Sequence, residues 1–150
     1  MGKRREMMKI IDIKAAQDLA HCLGKSGCYL LCLMAVAEKI TGKEIDALKA
    51  AKYLIDNKIV DYNYDRPRAY SNAMYVFDAD KVLSYLGCSR CYIDKVKEIP
   101  EGFDGPYIIR HTHEGNTHFT LPDYDPMTDN PVVKNGRITA YYLVRQRESA

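Results

Sequence analysis

The spacing of apolar residues changes once along this chain, at Gly87. Before Gly87 the apolar residues recur at helical spacing, and after it β-branched and aromatic residues alternate between Gly, Pro and Asn. Helices followed by strands are typical of an α+β domain in which an antiparallel sheet packs on the helices. The chain has 150 residues with no repeat or linker, so we expect a single domain over residues 1–150.

The helical half carries start and stop signals that place four helices. We expect a short helix over Ala15–Cys22 closed by a Gly-Lys-Ser-Gly turn, a buried helix from Cys28 to Gly42, an amphipathic helix within residues 43–58, and a helix capped by Asp78 that ends at Gly87. Residues 60–77 are rich in turn residues and tyrosine, which predicts a long loop. In the second half, Asn135-Gly136 predicts a two-residue hairpin turn.

Charge, the length of apolar runs and cysteine content limit the expected partners and compartment. Lys and Arg number 22 and Asp and Glu number 20, and the charges are interspersed, so we expect no nucleic-acid partner. No apolar run approaches the roughly 20 residues that span a bilayer, and the first residues lack the pattern of a signal peptide, so we expect no membrane partner. Five cysteines without export predict thiols in the cytoplasm. No motif calls for a cofactor.

Cys28 is the first residue of the predicted buried helix. The amide N–H groups and the positive end of the dipole at a helix start stabilise an anion, which lowers the pKa of a thiol there. Such a thiolate is a nucleophile. Cys32, one turn later on the same face, is expected to pack in the core.

A partner for such a nucleophile lies in the segment "THFTLPDYDP". If the strand turns back at Leu121-Pro122 through a two-residue loop, His118 faces Asp125, with their Cβ atoms about 5 Å apart. A carboxylate at that distance fixes the tautomer of the imidazole and stabilises its charged form. A loop of another length would make Asp123 the partner.

These motifs resemble those of papain-like cysteine peptidases. The run "GCYLLCLMAVAEKITG" is similar to the helix start of the members that process double-glycine leader peptides, and "HFTLPDYDP" to their His and Asp strands. Small phage and prophage proteins of the superfamily end in a comparable hairpin. The resemblance implies a papain-like fold and cleavage of a peptide or amide bond in a peptide or protein substrate. It also implies that Cys28 is the nucleophile, His118 the general base and Asp125 its orienting acid.

One position departs from the superfamily pattern. A Gln about six residues before the nucleophile usually completes the oxyanion hole, but here that position is Cys22. Gln17 is the nearest glutamine, eleven residues upstream, and would need a longer intervening loop to reach Cys28. Since one oxyanion donor is worth about a hundredfold or more in rate, a catalytically silent papain-like module that binds a peptide or host protein is the alternative.

Zinc chemistry is a third possibility in the sequence. Cys88-x2-Cys91 and His111-x-His113 make a Cys2His2 set, which is a legitimate structural zinc site. The spacing is weak support, and our leading interpretation includes no metal. Without zinc, we expect the two histidines to lie at a solvated hairpin end.

The predicted long loop contains a mixed aromatic and basic segment, "DYNYDRPRAYSN". In a papain-like fold this segment would lie near the cleft. Tyr64 and Arg68 are therefore candidates for substrate binding by stacking and charge.

Overall fold

The protein was analysed as a computed structural model that describes residues 10–62, 74–127 and 130–148. The helices in these ranges are α1 (Ile10–Ser26), α2 (Cys28–Thr41), α3 (Ala47–Asp56), α4 (Ala79–Tyr85) and α5 (Pro131–Asn135). The strands are β1 (Val60–Tyr62), β2 (Met74–Val76), β3 (Cys91–Val96), β4 (Tyr107–His113), β5 (Asn116–Thr120) and β6 (Arg137–Gln146).

The main sheet has four antiparallel strands in the order β3-β6-β4-β5. This sheet, with the helices that precede it, confirms the predicted α+β class. The long strand β6 lies between β3 and β4, and β5 forms an edge. A β-bulge between Arg110 and His111 interrupts the β4–β6 register.

Helix α2 lies in the hydrophobic core. It is apolar nearly all round, and six of its residues are buried: Leu30, Cys32, Leu33, Met34, Val36 and Ala37. It ends as predicted at Gly42, which has the left-handed φ of 71° and donates its N–H to the oxygen of Glu38. The helix contacts α4 and β5, so its N-terminal end is fixed relative to the edge of the sheet.

Helix α1 is longer than the sequence predicts. The expected Gly-Lys-Ser-Gly turn does not form, because Gly24, Lys25 and Ser26 continue the helix and only Gly27 interrupts it. At this break the two helices bend by 90°. No single helix in the described ranges is long and apolar enough to cross a membrane.

Two predictions for connecting segments fail in the described residues. The ends of the predicted loop 60–77 are the strands β1 and β2, which pair as a separate antiparallel ribbon, and residues 63–73 between them lie outside the described residues. The expected turn at Asn135-Gly136 is instead the end of α5, and Gly136 is extended, with φ −93° and ψ −168°. Asn130 starts this short helix by accepting the N–H of Val132 on its side chain, and Pro131 follows with a φ suited to the first turn.

Candidate active site

Cys28 begins α2 and is partly exposed. Gly27 is the N-cap, and because it has no side chain it leaves the first amides of the helix without a side-chain acceptor. The oxygen of Gly27 accepts the N–H of Leu31 at 2.8 Å, which closes the first turn. Sequence and structure therefore agree that the thiol lies at the positive end of a buried helix.

His118 lies on β5 with 2% of its surface exposed. Its Nε2 is 2.7 Å from Oδ1 of Asp125. A carboxylate only accepts hydrogen bonds, so Nε2 carries the proton and Nδ1 is left to face the Cys28 thiol, which lies close enough to stabilise the charged ring. The same Oδ1 accepts the N–H of Met127 at 2.9 Å, which fixes the carboxylate. The structure thus brings Cys28, His118 and Asp125 together.

The environment of His118 favours its charged form. Burial alone would lower the pKa of the imidazole, but hydrogen bonds and charge interactions with Cys28 and Asp125 together raise the pKa above its ordinary value. An imidazole that keeps its proton beside a thiol stabilises the thiolate.

Asp123 does not orient the histidine. It is exposed, and both of its carboxylate oxygens contact Nζ of Lys39, at 2.6 and 2.7 Å. The predicted turn is displaced by one residue: Leu121 bridges Tyr124, so the turn residues are Pro122 and Asp123, and Asp125 is in register with Thr120 rather than with His118. The hydrogen bond between His118 and Asp125 forms all the same, although the two residues are not directly opposed.

Gln17 does not supply the oxyanion donor expected of it. It is exposed on α1, and residues 18–26 after it are helical rather than a loop. Nine residues at about 1.5 Å each put Gln17 about 14 Å along the axis from the end of α1, beyond the reach of its side chain. Cys22, at the usual position of the glutamine, is buried in the core.

The remaining cysteines do not form a second reactive site. Cys32 is fully buried, as predicted. Its burial is the main cause that raises the pKa of its thiol, and the charges of Cys28 and Asp125 add to the effect. Burial and the neighbouring Cys91 raise the pKa of Cys88 to about 11. Among the described residues, no group of three or more His, Cys, Asp or Glu could hold a metal ion, so the zinc alternative lacks an assembled site.

Tyr64 and Arg68, the expected substrate-binding pair, lie outside the described residues.

His111 is a site residue that the sequence reasoning missed. We expected it at a solvated hairpin end, but it is 8% exposed, pairs directly across the strands with His118, and has its Nε2 2.8 Å from Oγ1 of Thr120. Glu114-Gly115 was the available signal. Both residues have positive φ, 49° and 81°, and form the two-residue turn that sets His111 opposite His118.

Comparison with known proteins returns no match: no family model, no curated protein and no solved structure matches this chain.

Proposed function

We propose that this chain is a papain-like thiol hydrolase that cleaves a peptide or amide bond through Cys28, His118 and Asp125. One observation carries the proposal: a buried imidazole lies close to a thiol at a helix start and donates a hydrogen bond to a carboxylate 2.7 Å away. Nucleophile, base and orienting acid in contact are the parts that acyl transfer needs.

Attack by the thiol uses the proton positions that the contacts imply. Nδ1 of His118 takes the proton of the Cys28 thiol, and the thiolate forms a C–S bond to the substrate carbonyl carbon while the carbonyl electron pair moves to oxygen. As the oxygen pair returns, the C–N bond breaks and His118 gives its proton to the departing amine. Asp125 accepts the hydrogen bond from the Nε2–H group throughout, so the ring keeps one orientation.

Hydrolysis of the resulting thioester restores the enzyme. Nδ1 of His118 takes a proton from water, and the oxygen attacks the acyl carbon, after which the C–S bond breaks and the thiol regains the proton. The backbone N–H of Cys28, the first amide of α2, is suited to stabilise the oxyanion in both steps.

A catalytically silent peptide-binding module is the second candidate, and the placement of two residues favours it. Gln17 is too far along α1 to reach the site, and Cys22 is buried where the superfamily has its glutamine. Loss of one oxyanion donor costs about a hundredfold or more in rate. The two candidates share a reactive thiol and differ in turnover.

Alkylation of Cys28 with iodoacetamide, read site by site by mass spectrometry across pH, tests the proposal. We expect Cys28 to label at about pH 6, where an ordinary thiol is almost fully protonated, and His118→Ala to remove this low-pH labelling. Buried Cys32 and Cys88 serve as internal controls. His113→Ala, which removes a more exposed histidine of the neighbouring strand β4, is the matched variant and should label like the native protein.

Two results would overturn the proposal. Labelling of Cys28 with the pH dependence of an ordinary thiol in both the native protein and His118→Ala would mean that the pair does not form. Low-pH labelling without hydrolysis of any thioester or activated-ester substrate would favour the silent module instead.

We further infer a reducing compartment, such as the cytoplasm. All five cysteines lie within the described ranges and are thiols rather than disulfides. Cys28 must stay a free thiol to act as the nucleophile, and a reducing compartment favours that state.

A further inference from the structure

His111, His118 and Thr120 are the only buried polar side chains in the described part of the chain. All three lie on one face of the β4–β5 pair, because His111 is directly opposite His118 and Thr120 is two residues beyond it on β5. Burial of a polar group is unfavourable unless it is hydrogen-bonded. All three are hydrogen-bonded, His118 to Asp125 and His111 to Thr120, so their burial is compensated within the candidate site.

His111 is tied to the sheet rather than to the nucleophile. Its Nε2 lies 2.8 Å from the hydroxyl of Thr120, which can donate or accept. Two imidazoles directly opposed on neighbouring strands have Cβ atoms about 5 Å apart. The side chain of His111 therefore leaves the sheet beside that of His118, which must stay aligned with Cys28 and Asp125.

The β-bulge shapes the other side of His111. Arg110 faces Ala140 on β6 but His111 faces Ile138, so Thr139 is passed over. The hydroxyl of Thr139 instead accepts Nε of Arg110 at 2.9 Å, on the opposite face of the sheet. The bulge thereby places a hydrocarbon side chain across from His111 and leaves its hydrogen bond with Thr120 in place.

The charges around His111 disfavour a proton on its ring. His118 faces it from β5 and Asp125 follows the β5 turn, while Lys134 of α5 and Arg137 of β6 are exposed. Burial and then His118 lower the pKa of His111, against a smaller opposing effect of Asp125. The surroundings thus lower the pKa of His111 and raise the pKa of His118.

We propose that His111 is a positioning residue: as a neutral imidazole bonded to Thr120 it holds the His118 ring in line, and a proton on His111 in acid opposes the proton on His118. This proposal rests on the proposed function, because a general base needs alignment only beside a nucleophile. The site is then sensitive to acid through a residue that touches neither substrate nor thiol.

Imidazole NMR titration tests the charge coupling without any substrate. We expect the His118 resonances of the native protein to shift in two steps, the second coinciding with titration of His111. In His111→Gln, whose amide still bonds Thr120 but does not titrate, the second step should vanish. A single step in the native protein, or a second step that survives in His111→Gln, would overturn the proposal.

Alkylation of Cys28 tests the positioning role. His111→Leu should lower the labelling rate at about pH 6 by about tenfold, the factor carried by one pKa unit, whereas His111→Gln restores it. His113→Gln is the matched control and should label normally. Equal labelling of the native protein and the Leu variant would refute the positioning role. Absence of low-pH labelling in the native protein would instead contradict the proposed function, and the NMR titration would still report whether the histidines are coupled.

Discussion

A Cβ atom added to Gly27 would lie 2.6 Å from the backbone oxygen of Leu23 and 2.7 Å from its Cδ1. The first of these is a backbone atom that cannot turn away, and it also accepts the N–H of Gly27 at 2.9 Å. The sharp passage from α1 to α2, and hence the position of Cys28, therefore requires glycine at this residue.

Gly27→Ala should destabilise the protein by about 1–3 kcal/mol, because the added methyl group overpacks the helix junction. It should also reduce low-pH alkylation of Cys28, since the first turn of α2 must shift. Gly24→Ala is the matched control: a Cβ there meets nothing within 4 Å, and alanine in a helix is worth up to about 1 kcal/mol more than glycine. Urea denaturation of both variants checks the difference, and equal destabilisation would contradict this account of the junction.

Asp125→Asn should shift alkylation of Cys28 to higher pH. The carboxylate at 2.7 Å helps to hold the pKa of His118 above its ordinary value, so its loss lowers that pKa and weakens the thiolate. The labelling rate at about pH 6 should fall about tenfold for each unit by which the profile moves. Asp123→Asn removes an exposed carboxylate that contacts Lys39 and should leave the profile in place. An equal shift in both variants would mean that net charge, not the contact with His118, sets the reactivity.

The stability of the protein should depend on pH through two histidines with opposite signs. The folded-state pKa of His118 is raised, so its contribution is fully present below its unfolded value of about 6.5 and is lost as pH rises through the folded value. The folded-state pKa of His111 is lowered, so its burial costs stability increasingly as pH falls below about 6.5.

Replacement of the two histidines should separate these contributions. Between about pH 8 and pH 5, His111→Gln should lose less stability than the native protein, and His118→Gln should lose more. Urea denaturation at both values measures the change, with His113→Gln as the control for removal of a histidine from the same hairpin. Identical slopes in the two variants would contradict the opposite assignments.

The sequence predicts most of the site because the relevant signals are local. The spacing of His118 and Asp125 within one turn segment, and the position of Cys28 at an apolar helix start, depend only on residues close in the chain. Nearby residues do not decide between Asp125 and Asp123, because Asp123 is held by Lys39, which is 84 residues away in sequence. Tertiary contacts of this kind leave no mark on the pattern.

The errors in the predicted fold have similar causes. Asn-Gly favours a hairpin turn, but here Asn130 and Pro131 start a helical turn that reaches Asn135 first, and Gly136 then enters β6 in an extended conformation. The ribbon of β1 and β2 joins strands of three residues each, too short for alternation of polar and apolar residues to reveal. The sequence would have predicted a buried His111 only if Glu114-Gly115 had been recognised as the turn, because that turn fixes which residues of β4 and β5 face each other.

The aromatic contacts next to the nucleophile provide a further prediction. Tyr29, which follows Cys28, has its ring centroid 4.7 Å from that of Phe119 on β5, and Phe119 lies 5.7 Å from Tyr142. These rings join the first turn of α2 to the strand that carries His118. Phe119→Leu should therefore destabilise the protein by about 1–3 kcal/mol, since two aromatic pairs of about 0.5–1.5 kcal/mol each are lost.

The same substitution should also lower the labelling rate of Cys28 at about pH 6, because the thiol and the imidazole are no longer held at a fixed separation. Phe77→Leu is the matched control. Phe77 is 59% exposed and pairs with Tyr75 at 5.3 Å, away from α2 and β5, so its loss should cost less stability and leave the labelling unchanged. If Phe119→Leu lowered stability but left Cys28 labelling at native levels, the docking of α2 on β5 would contribute to folding and not to the alignment of Cys28 with His118.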